Sequence, residues 1–484
     1  MEQRLIRQTN RSKLMPAPCP DGMFKGYVGL DRISLAAHRM KSEEKMNNLV
    51  HHINEFNLCQ AFRQLDGAKA VGIDQVTKDK YGKNLQTNIE ILFDEIYRGG
   101  WRPKPARQVM IPKPQGGFRP LAIGCLEDKI FQTLLAKILE AVFDPIFSRH
   151  SYGFRRGKNT HQAIARVYQE INRRAGNCVV VEMDIEKFFN TVDHDRLMQL
   201  LGKKIGDQKL LRLIRRCLRN SILTEGGLVE KQELGTPQGS PVSPVLANIY
   251  LHYALDEWFK EQWSMKGEMV RYADDAVFVF TDMTTAEDFR KALIERMAEF
   301  KLKLNLDKSG IRRFDKRSKA GDVPFLGFAL YWGKTWARKT YLKVKTHPKK
   351  LARAIQEFTD WIKENRHRHK LERLWAMAKA KIIGHYNYYG VSTNLRKLNH
   401  FYHACIGQLF KWLNRRSQKR SYTWESFQRR LMFKPIPAPT NGALIVNITN
   451  GLGTELKRKP KSRMRENRKY GSVRSNGRQR PLFT

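Results

Sequence analysis

Two adjacent carboxylates stand in the middle of the chain with strand-like sequence on both sides. Asp274 and Asp275 lie in the segment RYADD, between the apolar runs MVRY and AVFVF, so we expect a β-hairpin with both aspartates at its tip. Such a pair in isolation is usually only a turn, because Asp side chains bond the local backbone. A catalytic role therefore requires a further carboxylate from elsewhere in the chain.

A further carboxylate comes from Asp184, which ends the apolar run VVVEM and is followed by IEKFF. Its side chain would leave the end of a buried strand, and the three aspartates would converge if the hairpin lies beside that strand. Clustered carboxylates repel one another unless cations hold them together, and hard oxygen ligands select Mg²⁺. The predicted cofactor is a pair of Mg²⁺ ions, and the predicted metal ligands are Asp184, Ile185, Asp274 and Asp275.

The chemistry that such a site predicts is nucleotidyl transfer. Two Mg²⁺ ions about 4 Å apart would deprotonate and orient a primer 3′-hydroxyl. They would also neutralise the charge that develops on the transferred phosphate and on its leaving oxygen. The three aspartates are therefore the candidate catalytic residues.

The composition indicates a polyanionic partner. The 484 residues contain 89 Lys plus Arg against 47 Asp plus Glu, a net charge of +42 that is distributed along the whole chain. Such a surplus repels itself unless a polyanion neutralises it, and a membrane-surface binder would concentrate its charge in one amphipathic helix or tail. Nucleic acid is the expected partner, with a binding affinity that falls steeply with salt.

The cysteines and the apolar runs predict the cellular compartment. Six cysteines are widely scattered and form no CxxC pair, which is typical of reduced thiols in a cytosolic protein. No apolar run approaches the roughly 20 residues that span a bilayer, and the N-terminus lacks the hydrophobic stretch of a secretory signal. We expect no membrane partner and a place in the bacterial cytoplasm, associated with the nucleoid, in preference to an organelle.

Hydrophobic periodicity predicts a mixed α+β chain in which an antiparallel sheet backed by helices positions the carboxylates. Strand-like segments surround the turn-rich PKPQGG at 106–123, and short apolar strands begin at Val179, flank 273–275 and continue from Val323. From residue 348 the pattern is helical throughout, which indicates a separate all-α region. The remaining predicted helices are at 45–65, 85–98, 126–143, 160–174, 194–219, 244–259 and 285–302.

These segments, together with others in the same order, resemble the motifs of reverse transcriptases from about residue 66 to residue 331. The resemblance implies a right-hand polymerase fold that copies RNA into DNA from deoxynucleoside triphosphates. It also implies that Asp184 and Asp274 bind metal and that Asp275 is the adjoining carboxylate. The order and spacing of the motifs carry this resemblance more than any single string does.

The same resemblance implies a nucleotide pocket. Phe189, in DIEKFF, is similar to the steric gate that excludes a ribose 2′-hydroxyl, although outside the motif it would be interpreted as a core aromatic. Gln238, in GTPQGSPVSPVLANIYL, is similar to the family's pocket glutamine. Lys113 and Arg119, in VMIPKPQGGFRPLAIG, place two cations around a Gly-rich turn whose backbone N–H groups could hold a triphosphate.

Further motifs are expected to contact template and primer. Arg155, in SYGFRRGKNTHQA, is the candidate template contact. Lys308, in LNLDKSG, is the candidate general acid for the leaving pyrophosphate, with a solvated surface lysine as the equal alternative. The segment FLGF resembles the strand that grips the primer end, which predicts that Phe325, Leu326 and Gly327 contact the primer.

Two long strings, IPKPQGGFRPLAI and SYGFRRGKNTH, resemble the proteins encoded by group II introns. The stretch at 380–403 resembles their maturase or thumb domain, and places Tyr386, Tyr388 and Tyr389 among basic residues that could contact RNA. At helical spacing at least half of these aromatics are expected to be core. The predicted partners are group II intron RNA, target or primer DNA, and dNTPs.

The resemblance divides the chain into five segments. Residues 1–45 form an N-terminal extension without clear periodicity, expected to be loosely ordered. Fingers at 46–178 and a palm at 179–335, interleaved in space, are followed by an all-α thumb or maturase (X) domain at 345–432. The basic segment at 441–484 is expected to contact DNA or RNA. No endonuclease domain with Cys pairs is expected, so the enzyme would have to extend an existing 3′ end.

Two alternatives to this interpretation remain. One is a domesticated, retron-like or defence-associated reverse transcriptase, and the other is a maturase-only RNA-binding splicing factor whose polymerase is vestigial. The chain departs from the family pattern at Asn190, where many relatives have Asp, and at the SP that follows PQG. Neither departure touches the three aspartates.

Overall fold

The structure of the protein, a computed structural model, describes residues 26–439 apart from 42, 113–115, 175–176, 225, 228, 232, 317–320, 335–337 and 417–420. The predicted basic segment at 441–484, residues 1–25 of the predicted extension, and Lys113 lie outside the described residues. The described residues form helices and three sheets. The predicted mixed α+β class is therefore confirmed.

Helices dominate the first part of the described chain. Its central helix is α5, in which Ile130, Leu134 and Ile138 are fully buried. Helices α1 and α2 pack against it, which makes α5 the centre of the largest hydrophobic core. The elements are α1 Leu30–Arg39, α2 Glu55–Gln64, α3 Lys78–Gly82, α4 Leu85–Tyr97, β1 Ala106–Pro112, β2 Phe118–Ile123, α5 Leu126–Phe143 and α6 Thr160–Arg173.

Helix α1 corrects the prediction that the chain is loosely ordered up to residue 45. It lies inside that segment, and its Leu30, Ile33 and Ala37 are buried. These three residues recur at helical spacing on one face, and that face packs on α5. The helix is short and the segment around it is polar, so its periodicity was not evident in the sequence.

A four-stranded antiparallel sheet with the order β6-β7-β3-β8 forms the middle of the molecule. Alternate residues of its strands point to opposite faces: Val180 and Val277 pack in the core that includes α6, whereas Val181 and Phe278 pack in the core that includes α12. The elements of this part are β3 Asn177–Met183, α7 Phe188–Thr191, α8 His194–Leu201, α9 Gln208–Leu218, β4 Ser221–Leu223, β5 Val229–Lys231, α10 Ser243–Leu251, α11 Glu257–Gln262, β6 Gly267–Tyr272, β7 Asp275–Phe280, α12 Met283–Glu299 and β8 Ile311–Asp315.

Two further sheets flank the first. One has the order β2-β1-β4-β5, with β1 antiparallel to β2 and parallel to β4. The other has the order β11-β10-β9 and leads into the C-terminal helices. Strands β4, β5, β8 and β11 were not predicted from the sequence. The third sheet consists of β9 Val323–Phe325, β10 Phe328–Lys334 and β11 Thr340–Thr346.

The described chain after residue 347 is helical, as predicted. Its helices share a core of their own around Phe358, Ile382 and Phe427. No helix in the described part of the chain is both long enough and apolar enough to cross a bilayer. The four helices are α13 Pro348–Asn365, α14 Leu371–Tyr389, α15 Leu395–Leu413 and α16 Trp424–Phe433.

Candidate active site

The two adjacent aspartates lie at the tip of a β-hairpin that runs beside the strand carrying the third. Strands β6 and β7 pair as far as Tyr272 and Asp275, so Ala273 and Asp274 form a two-residue turn. Ala273 has φ 57°, and a positive φ at this position suits the twist of a two-residue hairpin. Strand β7 also pairs with β3 to its end, so Asp184 leaves the sheet at the same edge as the turn.

The carboxyl groups of the three aspartates act on one another. Loss of hydration raises the pKa of Asp274, and the negative charge of Asp184 raises it further. Asp275 is open to solvent on one side, yet loss of hydration, followed by the charges of Asp274 and Asp184, raises its pKa to about 7. These shifts are the mutual repulsion that clustered carboxylates undergo.

Asp184 is fixed by the loop that precedes β8. Its backbone N–H donates to Ser309 Oγ at 3.1 Å, and its carbonyl accepts from the Asn305 N–H at 2.9 Å. Its carboxylate Oδ2 lies 3.3 Å from Lys308 Nζ. The side chain of Ile185 is buried, so only the backbone carbonyl of this predicted metal ligand could reach an ion.

Three cations surround the aspartates. The positive charge of Arg119, on β2, partly offsets the raised pKa of Asp274, and those of Lys308 and Lys350 do the same for Asp275. Lys350 lies in the first turn of α13 and was missed by the sequence analysis. The cations lie where the phosphates of a nucleotide would approach the carboxylates.

The aspartates fit a metal by their chemistry more than by their present arrangement. Among the described residues, no three or more His, Cys, Asp or Glu side chains are grouped closely enough to hold a metal ion. The Asp184 carboxylate is paired with Lys308 instead. The donors are all hard oxygens, and a divalent cation would relieve the repulsion that raises the pKa values of Asp274 and Asp275. The residues therefore fit Mg²⁺.

The predicted nucleotide-pocket residues meet at the end of β2. Gln238 Nε2 donates to Asn190 Oδ1 at 2.8 Å, and the Gln238 carbonyl accepts from the Ala122 N–H at 2.8 Å. The carbonyl of Phe189 accepts from the Thr236 N–H at 2.6 Å. The structure thus brings the predicted Phe189 and Gln238 together and joins both to the strand that carries Arg119.

A buried polar network supports the aspartate hairpin from behind. Arg271 is completely buried and bonds both carboxylate oxygens of Asp256. It also donates to Asn248 Oδ1 and to the Ala273 carbonyl, each at 3.0 Å. Gly153 packs on the hairpin so closely that a Cβ there would lie 2.3 Å from the Ala273 nitrogen. The sequence signal for this network was a charged residue inside an apolar strand.

Comparison with known proteins supports the motif analysis. The reverse transcriptase (RNA-dependent DNA polymerase) family matches residues 111–330. Protein YkfC of Escherichia coli is 30% identical over 309 residues, which are 53% of this chain and 79% of that protein. The chain belongs to the reverse transcriptase family. Polymerases of this family are in general metal-dependent, which agrees with the chemistry of the aspartates.

Two further relatives are named after introns. The group II intron-encoded protein LtrA of Lactococcus lactis is 35% identical over 187 residues, 38% of this chain and 30% of that protein. An uncharacterized 91 kDa protein in the cob intron of Schizosaccharomyces pombe is 42% identical over 170 residues, 34% of this chain and 20% of that protein. The chain thus matches less than a third of either intron protein's length. The predicted resemblance of this reverse transcriptase to group II intron-encoded proteins is confirmed.

The turn predicted to grip the primer in this reverse transcriptase packs against the C-terminal helices. Phe325 is buried, whereas Leu326 and Gly327 form the turn between β9 and β10 with φ of 50° and 79°. The hydroxyl of Tyr388 donates to the Leu326 carbonyl at 3.0 Å. A Cβ on Gly327 would lie 2.8 Å from the Tyr389 hydroxyl. The position of the turn therefore depends on α14.

Arg155 lies in a different environment from the one expected of a template contact. Its Nε donates to Asp144 Oδ1 at 2.6 Å, and its other nitrogens donate to the carbonyls of Ser148, Ser151 and Asp144. Its side chain is only 8% exposed. Four N–H donors are therefore used inside the protein, and this geometry favours a structural role.

The three tyrosines predicted to contact RNA differ in exposure. Tyr386 is 1% exposed and lies in the core of the C-terminal helices, so the RNA contact predicted for it is corrected to a packing role. Tyr389 packs against Phe328. Tyr388 is 41% exposed and close enough to Asp275 for that charge to raise the pKa of its hydroxyl, which burial already raises. Of the three, Tyr388 alone faces the aspartates.

Proposed function

We propose that the protein is the RNA-directed DNA polymerase of a group II intron, which copies intron RNA into DNA for retrohoming. The observation that carries this proposal is the meeting of Asp184, Asp274 and Asp275 at one edge of the central sheet, where their charges raise each other's pKa. The cations Arg119 and Lys308 beside them suit a triphosphate substrate. Membership of the reverse transcriptase family supports the same activity.

The proposed layout is a right hand. Residues 46–178 are the fingers and 179–335 the palm, which holds the aspartates on its antiparallel sheet. Residues 345–432 are the thumb or maturase domain. This layout is supported by the contact of the primer turn with α14, because a thumb has to act together with the strand that grips the primer.

Each residue has a proposed part in nucleotide addition. Two Mg²⁺ ions, when bound by the three aspartates and the Ile185 carbonyl, supply activation of the primer 3′-hydroxyl and neutralise phosphate charge. Lys113 and Arg119 hold the triphosphate, Phe189 packs against the sugar of the incoming dNTP, and Gln238 lines the pocket. As the primer oxygen bonds the α-phosphorus, the bond to pyrophosphate breaks and Lys308 donates a proton to the leaving oxygen.

The polymerase is tested by primer extension on a defined hybrid. Purified protein is given an oligo(dT) primer on poly(rA), TTP and Mg²⁺, and extension is compared with that on a DNA template. We expect extension on the RNA template that EDTA abolishes. Tight binding of the hybrid without any extension would overturn the polymerase and leave the maturase-only alternative.

We further propose that the protein binds the RNA of its own intron as a maturase and promotes splicing. Its support is the printed intron names of two relatives and the charge of +42. The names favour an intron over a domesticated, retron-like or defence role, and the bacterial relatives favour the bacterial cytoplasm. Splicing of the flanking intron RNA at low Mg²⁺, with and without protein, tests this part. No acceleration would contradict it.

A further inference from the structure

A cavity lined by arginines lies at the far end of β1 from the turn predicted to hold the triphosphate. Its volume is about 410 Å³, within the range of small-molecule sites. Strand β1 separates it from that turn by seven residues, or roughly 20 Å at the rise of a β-strand. The cavity is therefore distinct from the aspartate site. Its charged and polar lining consists of Arg102, Arg212, Arg215, Arg216, Arg219 and Asn220.

The positive charge of this cavity is largely unneutralised by the protein. Helix α9 and the residue after it place four arginines at spacings of three, four and seven, so their side chains share one face. Within the described part of the chain, the one carboxylate paired with any of the five arginines is Asp195, at 2.8 Å from Arg215. Burial lowers the pKa of Arg216, and the charges of Arg102 and Arg212 lower it further. An anion in the cavity would relieve this repulsion.

Two of the guanidinium groups are already held in place. Nη1 of Arg216 donates to the carbonyls of Gly99 and Trp101 at 2.9 and 3.1 Å. Nη1 of Arg102 donates to the same two carbonyls at 3.1 and 3.0 Å. A guanidinium has five N–H donors, so both arginines keep further donors for a ligand. Fixed donors of this kind suit the bidentate recognition of a phosphate.

Asn220 adds a requirement that a bare phosphate does not meet. Its side chain is only 4% exposed, and its Oδ1 is buried without a hydrogen-bond partner among the described residues. Buried acceptors of this kind normally have a partner. An acceptor in the wall of a basic cavity calls for a ligand that offers a hydroxyl next to its phosphate. A ribonucleotide has this combination in its 2′-hydroxyl, and a deoxyribonucleotide does not.

We propose that this cavity binds the sugar–phosphate backbone of RNA, with the arginines on the phosphates and Asn220 accepting a hydrogen bond from a ribose 2′-hydroxyl. The RNA held here lies away from the nucleotides being copied, so it serves as an anchor outside the polymerase site. The inference rests on the proposed function in one respect, namely that RNA is the polyanion that this protein handles.

The test measures a second RNA on protein whose polymerase site is already filled. The full-length protein is loaded with an RNA-template/DNA-primer hybrid whose primer is chain-terminated, plus the next dNTP and Mg²⁺. A fluorescein-labelled single-stranded RNA of 30 nucleotides with a blocked 3′ end is then titrated, in parallel with DNA of the same sequence. The variant is Arg212→Gln/Arg219→Gln, because both side chains are exposed and their loss leaves the fold intact. The control, Arg290→Gln/Lys291→Gln, removes equal charge from α12.

We expect the Arg212→Gln/Arg219→Gln variant to bind the second RNA roughly tenfold more weakly than the control does. Its salt dependence should fall by about 1.4, since each lost phosphate contact on a single strand removes about 0.7 from the slope. Extension of an unterminated hybrid should be unchanged, which separates this site from the polymerase site. Equal RNA affinity in variant and control would overturn the proposal, whether or not the protein extends primers.

The role of Asn220 is tested by comparing RNA with DNA. In Asn220→Ala the second site should lose its preference for RNA, while its affinity for DNA stays that of the unchanged protein. A melting curve shows whether this buried substitution has disturbed the fold, and the arginine variant gives an independent answer if it has. An undiminished RNA preference in folded Asn220→Ala would overturn the assignment of the ligand as RNA.

Discussion

Arg271 and Asp256 form a two-pronged ion pair directly behind the aspartate hairpin. The Nε–Oδ1 distance is 2.7 Å and the Nη2–Oδ2 distance is 2.6 Å, and the two side chains are 0% and 1% exposed. The third nitrogen of Arg271 bonds the Ala273 carbonyl in the turn itself. The turn that carries Asp274 is therefore tied to the π-helical segment His252–Asp256.

Removal of one partner of this pair should be strongly destabilising. Asp256→Asn leaves a buried guanidinium without its counter-charge, so we expect a loss of about 3–5 kcal/mol in the free energy of unfolding. Urea unfolding followed by circular dichroism measures it. Arg271→Met/Asp256→Leu removes both charges and should recover part of that loss. An Asp256→Asn protein with the midpoint of the unchanged protein would contradict the role of the pair.

The raised pKa of Asp275 makes stability depend on pH and Mg²⁺. Because its pKa is about 7 in the folded protein against about 3.9 in an unfolded chain, the folded state holds a proton that the unfolded state has lost. Stability should therefore fall as the pH rises from about 4 to about 7. Asp275→Asn removes this effect and should melt roughly 1–2 °C higher at pH 8 without Mg²⁺.

Thermal melts at pH 5 and pH 8, with and without Mg²⁺, check this prediction. Mg²⁺ should raise the melting temperature of the unchanged protein at pH 8 more than that of Asp275→Asn, because the variant lacks one of the repelling charges. The control is Asp288→Asn, at an exposed position of α12. Equal stabilisation of all three proteins by Mg²⁺ would show that the ion does not bind at Asp275.

Lys308 is expected to act both as the partner of Asp184 and as a proton donor, and two substitutions separate these parts. Lys308→Arg keeps a cation beside the carboxylate 3.3 Å away but cannot give up a proton at neutral pH. Lys308→Met loses both. If Lys308 donates a proton to pyrophosphate, both variants should extend primers at least 10²-fold more slowly. Full rescue by Arg would show that only the charge matters.

Gly327 couples the primer turn to α14. An alanine there would adopt φ near 79° and approach the Tyr389 hydroxyl to 2.8 Å, so we expect Gly327→Ala to lower primer extension and the melting temperature together. Tyr389→Phe in the same protein removes the contact but not the strained φ, and should restore part of the loss. Gly310→Ala, which meets no atom within 4 Å, is the control. No rescue by Tyr389→Phe would place the whole cost in the backbone.

Much of the candidate site could be predicted because it depends on local patterns. An apolar run that ends in Asp184 and a hairpin with Asp274 at its tip each specify their own strand, and both strands are buried on two faces. Buried strands pair with each other, so the aspartates arrive at one edge. Long helices such as α5 were also predictable, since their periodicity extends over many residues.

Other features depend on contacts between distant segments. Lys350 acts on Asp275 only because α13 begins beside the hairpin, and nothing in its own sequence indicates this. Arg155 stands in a motif that suggests a nucleic-acid contact, yet Asp144 and three carbonyls take its donors. Strand β8 carries two arginines and a single buried residue, Phe314, and is a strand because it pairs with β3.

The central claim is that Asp274 belongs to a polymerase site, and primer extension by a matched pair of variants tests it most directly. Asp274→Asn and Asp288→Asn each replace one carboxylate by an amide, the first in the hairpin and the second on the exposed side of α12. On an RNA template with a DNA primer, dNTPs and Mg²⁺, we predict extension by the unchanged protein and by Asp288→Asn, and none by Asp274→Asn although it folds and binds the hybrid. Extension by Asp274→Asn at the rate of the unchanged protein would contradict the account.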